Sequence, residues 1–197
     1  MIEAELDPDP VAQFGAWFQQ AVERGVAQAE AMAVATAGAD GAPSVRMVLL
    51  KEWGPEGFVF YTDYGSRKGA ELAANPRAAL LFFWQPVGRQ VRIEGPVERV
   101  GQEASRRYFQ TRPLRSQVAA SISQQSQPVA TRAELEAAFE ARLAEAGEGP
   151  LELPARWGGF RVGPESFEFW QHQDDRLHDR IRYERSDAGW RMSRLSP

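Results

Sequence analysis

A series of short strand-like segments, joined by connections too short to hold a helix, constrains the fold of this chain most strongly. Residues 31–36 alternate apolar side chains with alanines. Residues 44–53 follow the turn signal Asp40-Gly41, and residues 58–62 follow a break containing glycine and proline. Because parallel strands need a crossover of about a dozen residues or more, these segments predict an antiparallel meander.

The same pattern predicts further strands along the rest of the chain. They lie at residues 78–84, 90–100, 157–162, 166–171, 180–185 and 189–194. Gly95-Pro96 falls inside the second of these and predicts an interruption there. Asp187-Ala188-Gly189 predicts a turn between the last two strands.

Helices are predicted near the start of the chain and in its middle. Asp9 suits an N-cap and Pro10 the first helical position. Helical spacing after them predicts a core-facing side formed by Phe14, Trp17, Phe18, Ala21 and Val22. Other helices are expected at residues 65–74, 102–110, after Pro113, and at 131–146. The last begins with the capping-box spacing of Thr131 and Glu134 and carries Leu135, Phe139 and Leu143 on one stripe.

Composition supports a globular fold, with 43% hydrophobic and 25% charged residues. We predict a mainly β protein with helices (α+β), in which a small antiparallel β-barrel carries peripheral helices. Residues 1–8 are expected to form a short N-terminal tail, and residues 9–197 a single domain.

Several function classes are disfavoured by what the sequence lacks. The net charge is −4 and no basic patch is present, so nucleic-acid binding is not expected. With no cysteine and two histidines, neither a thiol nucleophile nor a metal site is predicted. Neither a membrane span nor a signal peptide is recognisable, so we expect a cytoplasmic protein. Dinucleotide-binding and P-loop glycine motifs are also missing.

Two cations stand where a helix N-terminus disfavours them. Ser66 is a natural N-cap, so Arg67 and Lys68 fall in the first helical turn, which already carries a partial positive charge. This placement is explained if backbone N–H groups and both side chains hold an anion. The alternative is that both side chains turn into solvent or pair with carboxylates.

Three further clusters carry candidate functional groups. Arg46 shares a strand face with Val48 and Leu50, as either a ligand-facing or a snorkelling arginine. Tyr108, Arg112 and Ser116, spaced four apart, suit a phosphate monoester or belong to an ordinary surface helix. Around Trp170, polar residues 176–180 form either a site or a solvated loop of compensating charges.

Taken together, these segments resemble the pyridoxine/pyridoxamine 5′-phosphate oxidase family, which has the FMN-binding split-barrel fold. The resemblance runs from about Asp9 to Pro197. The motifs that carry it are RMVLLK (46–51), FYT (60–62), SRKGAELAANP (66–76), RQVRIEG (89–95), YFQTRPLRSQ (108–117), QQSQ (124–127), RWGGFRV (156–162), EFWQ (168–171) and RLHDR (176–180).

The resemblance implies an FMN whose phosphate is gripped by Arg67 and Lys68, with a contribution from Arg46. It also implies that each FMN site is built by both subunits of a homodimer. The other residues expected around the cofactor are Met47, Val48, Leu49, Leu50, Lys51, Tyr61, Thr62, Gln90, Gln125, Ser126, Trp170 and Arg180.

The implied reaction oxidises pyridoxine 5′-phosphate and pyridoxamine 5′-phosphate to pyridoxal 5′-phosphate. Hydride passes from substrate C4′ to the flavin, and O₂ is reduced to H₂O₂. Lys51, Tyr108, Arg112 and Ser116 would hold the substrate phosphate. Arg176 and His178 are the implied catalytic residues that face the pyridine ring, with Leu177 beside them.

Two departures from the family pattern keep alternatives open. Only eight residues precede Asp9, so the basic, tyrosine-containing N-terminal segment of many relatives is expected to be absent or replaced. Residues 171–175 read QHQDD where relatives often have glycine, which adds acidic charge. The alternatives are an FMN oxidase like those of phenazine biosynthesis, and a split-barrel protein that binds FMN or pyridoxal phosphate without turnover.

Overall fold

The computed structural model describes residues 1, 3–147 and 149–197, and over these residues the strands join into one ten-stranded sheet. All of its pairings are antiparallel, as predicted. The strands are β1 Ala31–Ala37, β2 Pro43–Leu49, β3 Glu52–Gly54, β4 Gly57–Asp63, β5 Arg77–Trp84, β6 Arg89–Arg99, β7 Trp157–Val162, β8 Ser166–Gln171, β9 Asp179–Ser186 and β10 Gly189–Arg194.

Five α-helices accompany the sheet in this part of the chain. They are α1 Pro10–Glu23, α2 Arg67–Ala74, α3 Gln102–Thr111, α4 Leu114–Ile122 and α5 Arg132–Glu145. The predicted N-caps are present, because Asp9, Ser66 and Thr131 each accept a backbone N–H of the first turn. None of the helices among the described residues has both the length and the apolar character that a bilayer crossing requires.

The sheet curls into a barrel that stays open along one seam. Its main path runs β10-β9-β8-β6-β5-β1-β2, and a branch continues from β6 through β7 and β4 to β3. In the described part of the chain β2 pairs with β1 alone, and β4 pairs with β3 and β7. The barrel is therefore split between β2 and β4, which confirms the predicted fold class.

The predicted interruption of β6 is absent, because this strand is continuous and changes partner instead. Residues 89–94 pair with β8, whereas residues 97–99 pair with β7. The switch occurs at Gly95, where a Cβ atom would overlap the carbonyl oxygen of Gly163. Glycine is needed here for close backbone approach rather than to end the strand.

The predicted second strand, residues 44–53, is in fact two strands. β2 ends at Leu49 and β3 begins at Glu52. Between them the backbone N–H of Leu50 donates to Glu30 O and that of Lys51 to Val59 O, each at 2.8 Å. The chain thus crosses from the β1 side to the β4 side of the seam.

The main core lies between α1 and the inner face of the sheet. Phe14 is fully buried and meets Phe58 and Phe82 edge-to-face, with centroids 4.9 and 5.0 Å away. Trp17 and Ala21 are also buried, but the prediction for Val22 was wrong, since this side chain is 48% exposed. The helix presents a narrower apolar stripe than its spacing suggested.

The middle helices pack on a second, smaller core. Its buried members are Phe109, Val118, Leu151 and Trp157. Phe139 and Leu143 of α5 pack against it, whereas Leu135, predicted on the same stripe, is 42% exposed.

The outer face of the sheet carries apolar side chains that none of the described residues of the chain covers. β2 and β5 contribute Val45, Met47, Leu49, Leu81 and Phe83, all of them exposed. An uncovered apolar surface of this kind marks an interaction face in many proteins.

Candidate active site

The seam between β2 and β4 opens into a cavity of about 570 Å³. Strands β2 and β4 form one side, and helices α3 and α4 the other. The predicted site residues that line it are Met47, Val48, Leu49, Lys51, Tyr61, Thr62, Lys68, Tyr108, Arg112, Ser116 and Gln125.

A second cavity of about 390 Å³ adjoins the first at the start of α2. Met47, Lys68 and Gln125 line both cavities, so the two are contiguous. The predicted residues that line the second cavity are Arg46, Met47, Arg67, Lys68, Gln125 and Ser126.

Lys68 is a buried cation whose hydrogen-bond partners among the described residues are neutral. The residue is 6% exposed. Its Nζ donates to Thr62 Oγ1 at 3.0 Å and to Gln125 Oε1 at 2.6 Å. Burial, and next the positive charge of Arg46, lower the pKa of Lys68 to about 8. An ammonium held this way is suited to an anionic ligand in the adjoining cavities.

Arg46 and Arg67 both reach the carboxylate of Glu71 on α2. Arg67 Nε lies 2.8 Å from Oε1, and Arg46 Nη2 lies 3.2 Å from Oε2. Burial raises the pKa of Glu71, but hydrogen bonds from Ser44, Thr36 and the two arginines outweigh it and bring the pKa to about 2. The sequence left two explanations for the cations in the first turn of α2: they hold an anion, or they turn into solvent or pair with carboxylates. Arg67 pairs with a carboxylate, and Lys68 does not.

Arg112 has a buried nitrogen, Nη1, with no hydrogen-bond partner among the described residues. Its guanidinium stacks 4.9 Å from the ring centre of Trp157. Burial lowers the pKa of Arg112. A buried donor without a partner is costly, so an anion in the adjacent cavity would satisfy it.

A break between two helices directs Arg112 into the cavity. A shared helix face for Tyr108 and Arg112 requires a helix that continues through Arg112. Helix α3 instead ends at Thr111, and Arg112 has extended backbone. Pro113 is the N-cap residue of α4, whose first turn contains Ser116. The turned backbone still brings Tyr108, Arg112 and Ser116 to the same cavity wall.

Three aromatic rings form a nearly parallel stack in the cavity. Tyr61 lies 4.1 Å from Tyr108 and 5.4 Å from Trp157, with interplanar angles of 18° and 10°. Tyr61 Oη donates to Glu52 Oε1 at 3.1 Å. Burial, followed by the Glu52 charge, raises the pKa of Tyr61. No sequence pattern separates Trp157 from ordinary core tryptophans, because its role depends on packing against Arg112.

Four predicted cofactor residues line neither cavity. Leu50 is buried in the main core, and the other three lie elsewhere in the sheet. Gln90, Trp170 and Arg180 stand directly opposite one another on β6, β8 and β9, in one row across the sheet. Arg180 Nε donates to Glu168 Oε1 at 2.8 Å. Strands β6, β5 and β1 separate β8 from β2 in the sheet, and none of the three residues of the row lines either cavity.

The predicted catalytic residues accompany this second group. The His178 ring lies 4.7 Å from that of Trp170, and His178 Nδ1 accepts the backbone N–H of Gln173 at 3.1 Å. Leu177 is 67% exposed. Within one chain, then, Arg176 and His178 do not meet the cavity residues.

Two predicted site residues adopt left-handed backbone that non-glycine residues rarely take. Ser126 has φ of 72° and Arg176 has φ of 64°. Such conformations cost roughly 1–3 kcal/mol and often occur at binding sites.

The donor set of the paired cavities fits a ligand with a phosphate group. Lys68 and the guanidinium of Arg46 border the smaller cavity, and Arg112 borders the larger one. In both, cationic donors stand beside neutral hydroxyl or amide groups, as phosphate oxygens require. Over residues 1, 3–147 and 149–197, no cluster of acidic and histidine side chains suits a metal ion.

Comparison with known proteins identifies the family. The family model described as Pyridoxamine 5′-phosphate oxidase matches residues 18–144, and the model described as Pyridoxine 5′-phosphate oxidase C-terminal dimerisation region matches residues 157–197. A pyridoxine/pyridoxamine 5′-phosphate oxidase of Bordetella petrii is 54% identical over 100% of this chain and 93% of its own length. The one from Rubrobacter xylanophilus is 51% identical over 100% and 91%.

Solved structures agree with the fold. PhzG from Burkholderia lata 383, in complex with tetrahydrophenazine-1-carboxylic acid, superposes with a TM-score of 0.94 at 30% identity, over 100% of this chain and 98% of that one. A pyridoxamine 5′-phosphate oxidase-related, FMN binding protein from Nostoc punctiforme reaches a TM-score of 0.75 at 17% identity, over 92% and 96%. The chain therefore belongs to the pyridoxine/pyridoxamine 5′-phosphate oxidase family of oxidoreductases and has its split-barrel fold.

Proposed function

We propose that this protein is an FMN-dependent oxidase that converts pyridoxine 5′-phosphate and pyridoxamine 5′-phosphate to pyridoxal 5′-phosphate. One observation carries the proposal: Arg112, whose buried Nη1 has no hydrogen-bond partner among the described residues, lies in a cavity wall with Lys51, Tyr108 and Ser116. That wall adjoins a second cationic cavity around Lys68. Two adjacent phosphate sites suit a phosphorylated cofactor beside a phosphorylated substrate.

The donors are sufficient for useful affinity. Each hydrogen bond to a charged group contributes about 1.5–3 kcal/mol net. Micromolar binding corresponds to about −8 kcal/mol, so a handful of such bonds is enough after the costs of association. Ser116 lies in the first turn of α4, where backbone N–H groups and the helix dipole also favour an anion.

Arg46, Arg67 and Lys68 would hold the phosphate of FMN, and the bound flavin would supply the redox chemistry by which two electrons go from substrate C4′ to O₂ to give H₂O₂. Lys51, Tyr108, Arg112 and Ser116 hold the substrate by its phosphate, away from the reacting carbon. Binding energy from this remote group therefore orients C4′ without using the atoms that react. Arg176 and His178 bind the pyridine ring. With pyridoxamine 5′-phosphate the oxidised imine hydrolyses and ammonia leaves.

We propose further that the active unit is a homodimer with FMN at the subunit interface. The row of Gln90, Trp170 and Arg180 and the proposed catalytic residues Arg176 and His178 line neither cavity of their own chain. In a dimer, the row of one subunit can complete the site at the seam of the other subunit if the two face each other. The exposed apolar side chains of β2 and β5 and the match to a dimerisation region support that arrangement.

Purified protein tests the proposal. It should be yellow, release FMN on denaturation, and form pyridoxal 5′-phosphate and H₂O₂ in equal amounts from pyridoxine 5′-phosphate. Protein that stays colourless after incubation with FMN would rule out the cofactor, and flavin-bound protein without turnover would rule out the substrate. A cytoplasmic location remains a prediction from the sequence.

A second candidate function is an FMN oxidase that acts on a phenazine precursor. The likeness to PhzG in complex with tetrahydrophenazine-1-carboxylic acid favours it. A carboxylate could also accept from Arg112, but the lysine, tyrosine and serine around it provide more donors than a carboxylate needs. Comparing kcat/KM for pyridoxine 5′-phosphate and tetrahydrophenazine-1-carboxylic acid decides between the two substrates.

A further inference from the structure

Gln117 is a buried polar side chain directly behind the proposed substrate-phosphate site. It is 3% exposed and lies on α4, one residue beyond Ser116. The cavity lining does not include it. Neither the sequence patterns nor the proposed reaction gives this side chain a role.

The helix break before α4 leaves backbone carbonyl groups that need donors. Pro113 has no N–H, and α3 ends one residue before Arg112. Gln117 Nε2 donates to Arg112 O at 2.8 Å and to Gln110 O at 3.4 Å. The side-chain amide therefore supplies the donor that a continuing helix would have provided.

The other end of the same amide holds a third segment. Gln117 Oε1 accepts the backbone N–H of Leu151 at 2.8 Å. Leu151 belongs to the small core that also contains Trp157, the ring on which the Arg112 guanidinium stacks. The Gln117 side chain thus holds the backbone carbonyl of Arg112 and also the backbone of Leu151, in the segment that leads to Trp157.

We propose that Gln117 is the positioning residue for Arg112 and thereby sets the affinity of this site for a phosphate monoester. This inference rests on the proposed function. A guanidinium must meet phosphate oxygens at a defined distance and angle, because hydrogen bonds weaken steeply away from linearity. Fixing the backbone of Arg112 keeps its guanidinium in the cavity wall before the ligand arrives, which reduces the ordering cost of binding.

The Gln117→Met variant tests the role, because methionine keeps the side-chain length and removes all three hydrogen bonds. We expect KM for pyridoxine 5′-phosphate and the inhibition constant of inorganic phosphate to rise about 10-fold, the loss of roughly one charge-assisted hydrogen bond. The kcat value and the dissociation constant of FMN should stay within about 2-fold of native. A merely structural role would lower the melting temperature without this selective loss of phosphate binding.

A control variant shows whether the effect belongs to position 117 or would follow from replacing any buried glutamine. Gln13 is 6% exposed and accepts the backbone N–H of Asp7 at 2.9 Å, away from the cavity. Gln13→Met should leave KM and phosphate inhibition unchanged. If Gln117→Met does not fold, Gln117→Glu serves instead, because it keeps the acceptor for Leu151 and loses the donor to Arg112.

The outcomes are distinguishable. Native KM and native phosphate inhibition in the folded variant would overturn the role of Gln117. If the native protein does not oxidise pyridoxine 5′-phosphate, the proposed function fails, and the phosphate dissociation constants of native and variant protein still decide the role of Gln117.

Discussion

At the scale of single residues, the site depends on cations that the chain itself leaves incompletely neutralised. Lys68 has neutral hydrogen-bond partners, and Arg112 keeps one buried nitrogen without a partner among the described residues. Both arrangements cost free energy in the empty protein and are relieved when a phosphate binds. The buried charges of Lys68 and Arg112 therefore lower the stability of the ligand-free protein and raise its affinity for phosphate groups.

Replacing Lys68 by methionine should weaken FMN binding about 10- to 100-fold, since one charge-assisted hydrogen bond is lost. In the native protein, FMN affinity should fall as the pH rises through about 8, because the lowered pKa of Lys68 removes its proton there. The variant should lose this pH dependence. Flavin fluorescence titrations at several pH values measure both effects, with the exposed Arg132→Met as control. Unchanged affinity in Lys68→Met would contradict the assignment.

The stability of the flavin-free protein follows the same titration. The pKa of Lys68 is about 8 in the folded chain and 10.5 when unperturbed, so the unfolded state binds more protons between these values. This group therefore makes unfolding harder as the pH rises from about 8 to about 10.5. Between these pH values the denaturant midpoint of the native protein should rise with pH relative to that of Lys68→Met.

Arg112→Ala should raise KM for pyridoxine 5′-phosphate by about 10- to 150-fold while FMN content stays near native. The reason is that Arg112 borders the larger cavity and not the smaller one. Steady-state kinetics and flavin absorbance check this. Arg115→Ala on the neighbouring helix α4, where the side chain is exposed and pairs with Glu140, should behave as native. Loss of flavin in Arg112→Ala would show that the two sites are misassigned.

Part of the site could be predicted from residues alone. Arg67 and Lys68 broke a local rule of helix electrostatics, and that signal lies in the sequence. The importance of Trp157, Glu71 and Gln117 could not be read there, because each acts through contacts between segments distant along the chain. Their residue types are ordinary core or helix residues until the packing is known.

At the scale of elements, α2 needs a glycine in its first turn. A Cβ atom on Gly69 would overlap the backbone carbonyl of Tyr64, so the helix lies against the end of β4 without room for a side chain. This close approach fixes where the N–H groups of the first turn point. The cofactor-phosphate cavity is built on that position.

Gly69→Ala should destabilise the protein by about 1–3 kcal/mol, although glycine to alanine usually stabilises a helix by roughly 0.5–1 kcal/mol. The displaced first turn should also weaken FMN binding. Thermal denaturation and flavin titration test this against Gly54→Ala, where a Cβ atom meets nothing within 4 Å. A more stable variant with native FMN affinity would refute the close-packing argument.

Element types were predictable, but two features of their pairing were not. The division of residues 44–53 into β2 and β3 depends on hydrogen bonds to Glu30 and Val59, which lie outside that segment. The change of partner along β6 depends on β7 and β8, more than 60 residues away. Local periodicity contains no information about either.

At the scale of the whole molecule, the predicted site falls into two groups on separate parts of one chain. The seam group lies between β2 and β4, and the row group lies on β6, β8 and β9. The sheet face between them carries exposed apolar side chains. A homodimer that buries this face would bring the row group of one subunit to the seam of the other. That residues 9–197 form one domain stays a prediction.

Phe83→Glu should convert the dimer to monomers and reduce FMN affinity, because it places a charge on the apolar face. Phe83 is 57% exposed in one chain. Val129→Glu is a matched control, since Val129 is 55% exposed in a loop before α5. Sedimentation velocity measures the outcome, and a stable dimer of Phe83→Glu would show that the subunits meet elsewhere.

Mixed dimers test most directly whether each site joins the seam of one subunit to Arg176 of the other. Arg112→Ala and Arg176→Ala are unfolded together, refolded, and assayed at pyridoxine 5′-phosphate concentrations far below KM. Random pairing makes about half of the dimers mixed, each with one intact shared site, so about a quarter of native activity should return. If both residues act within one chain, no mixed dimer contains an intact site. Activity no higher than that of the two separate variants would then contradict the account.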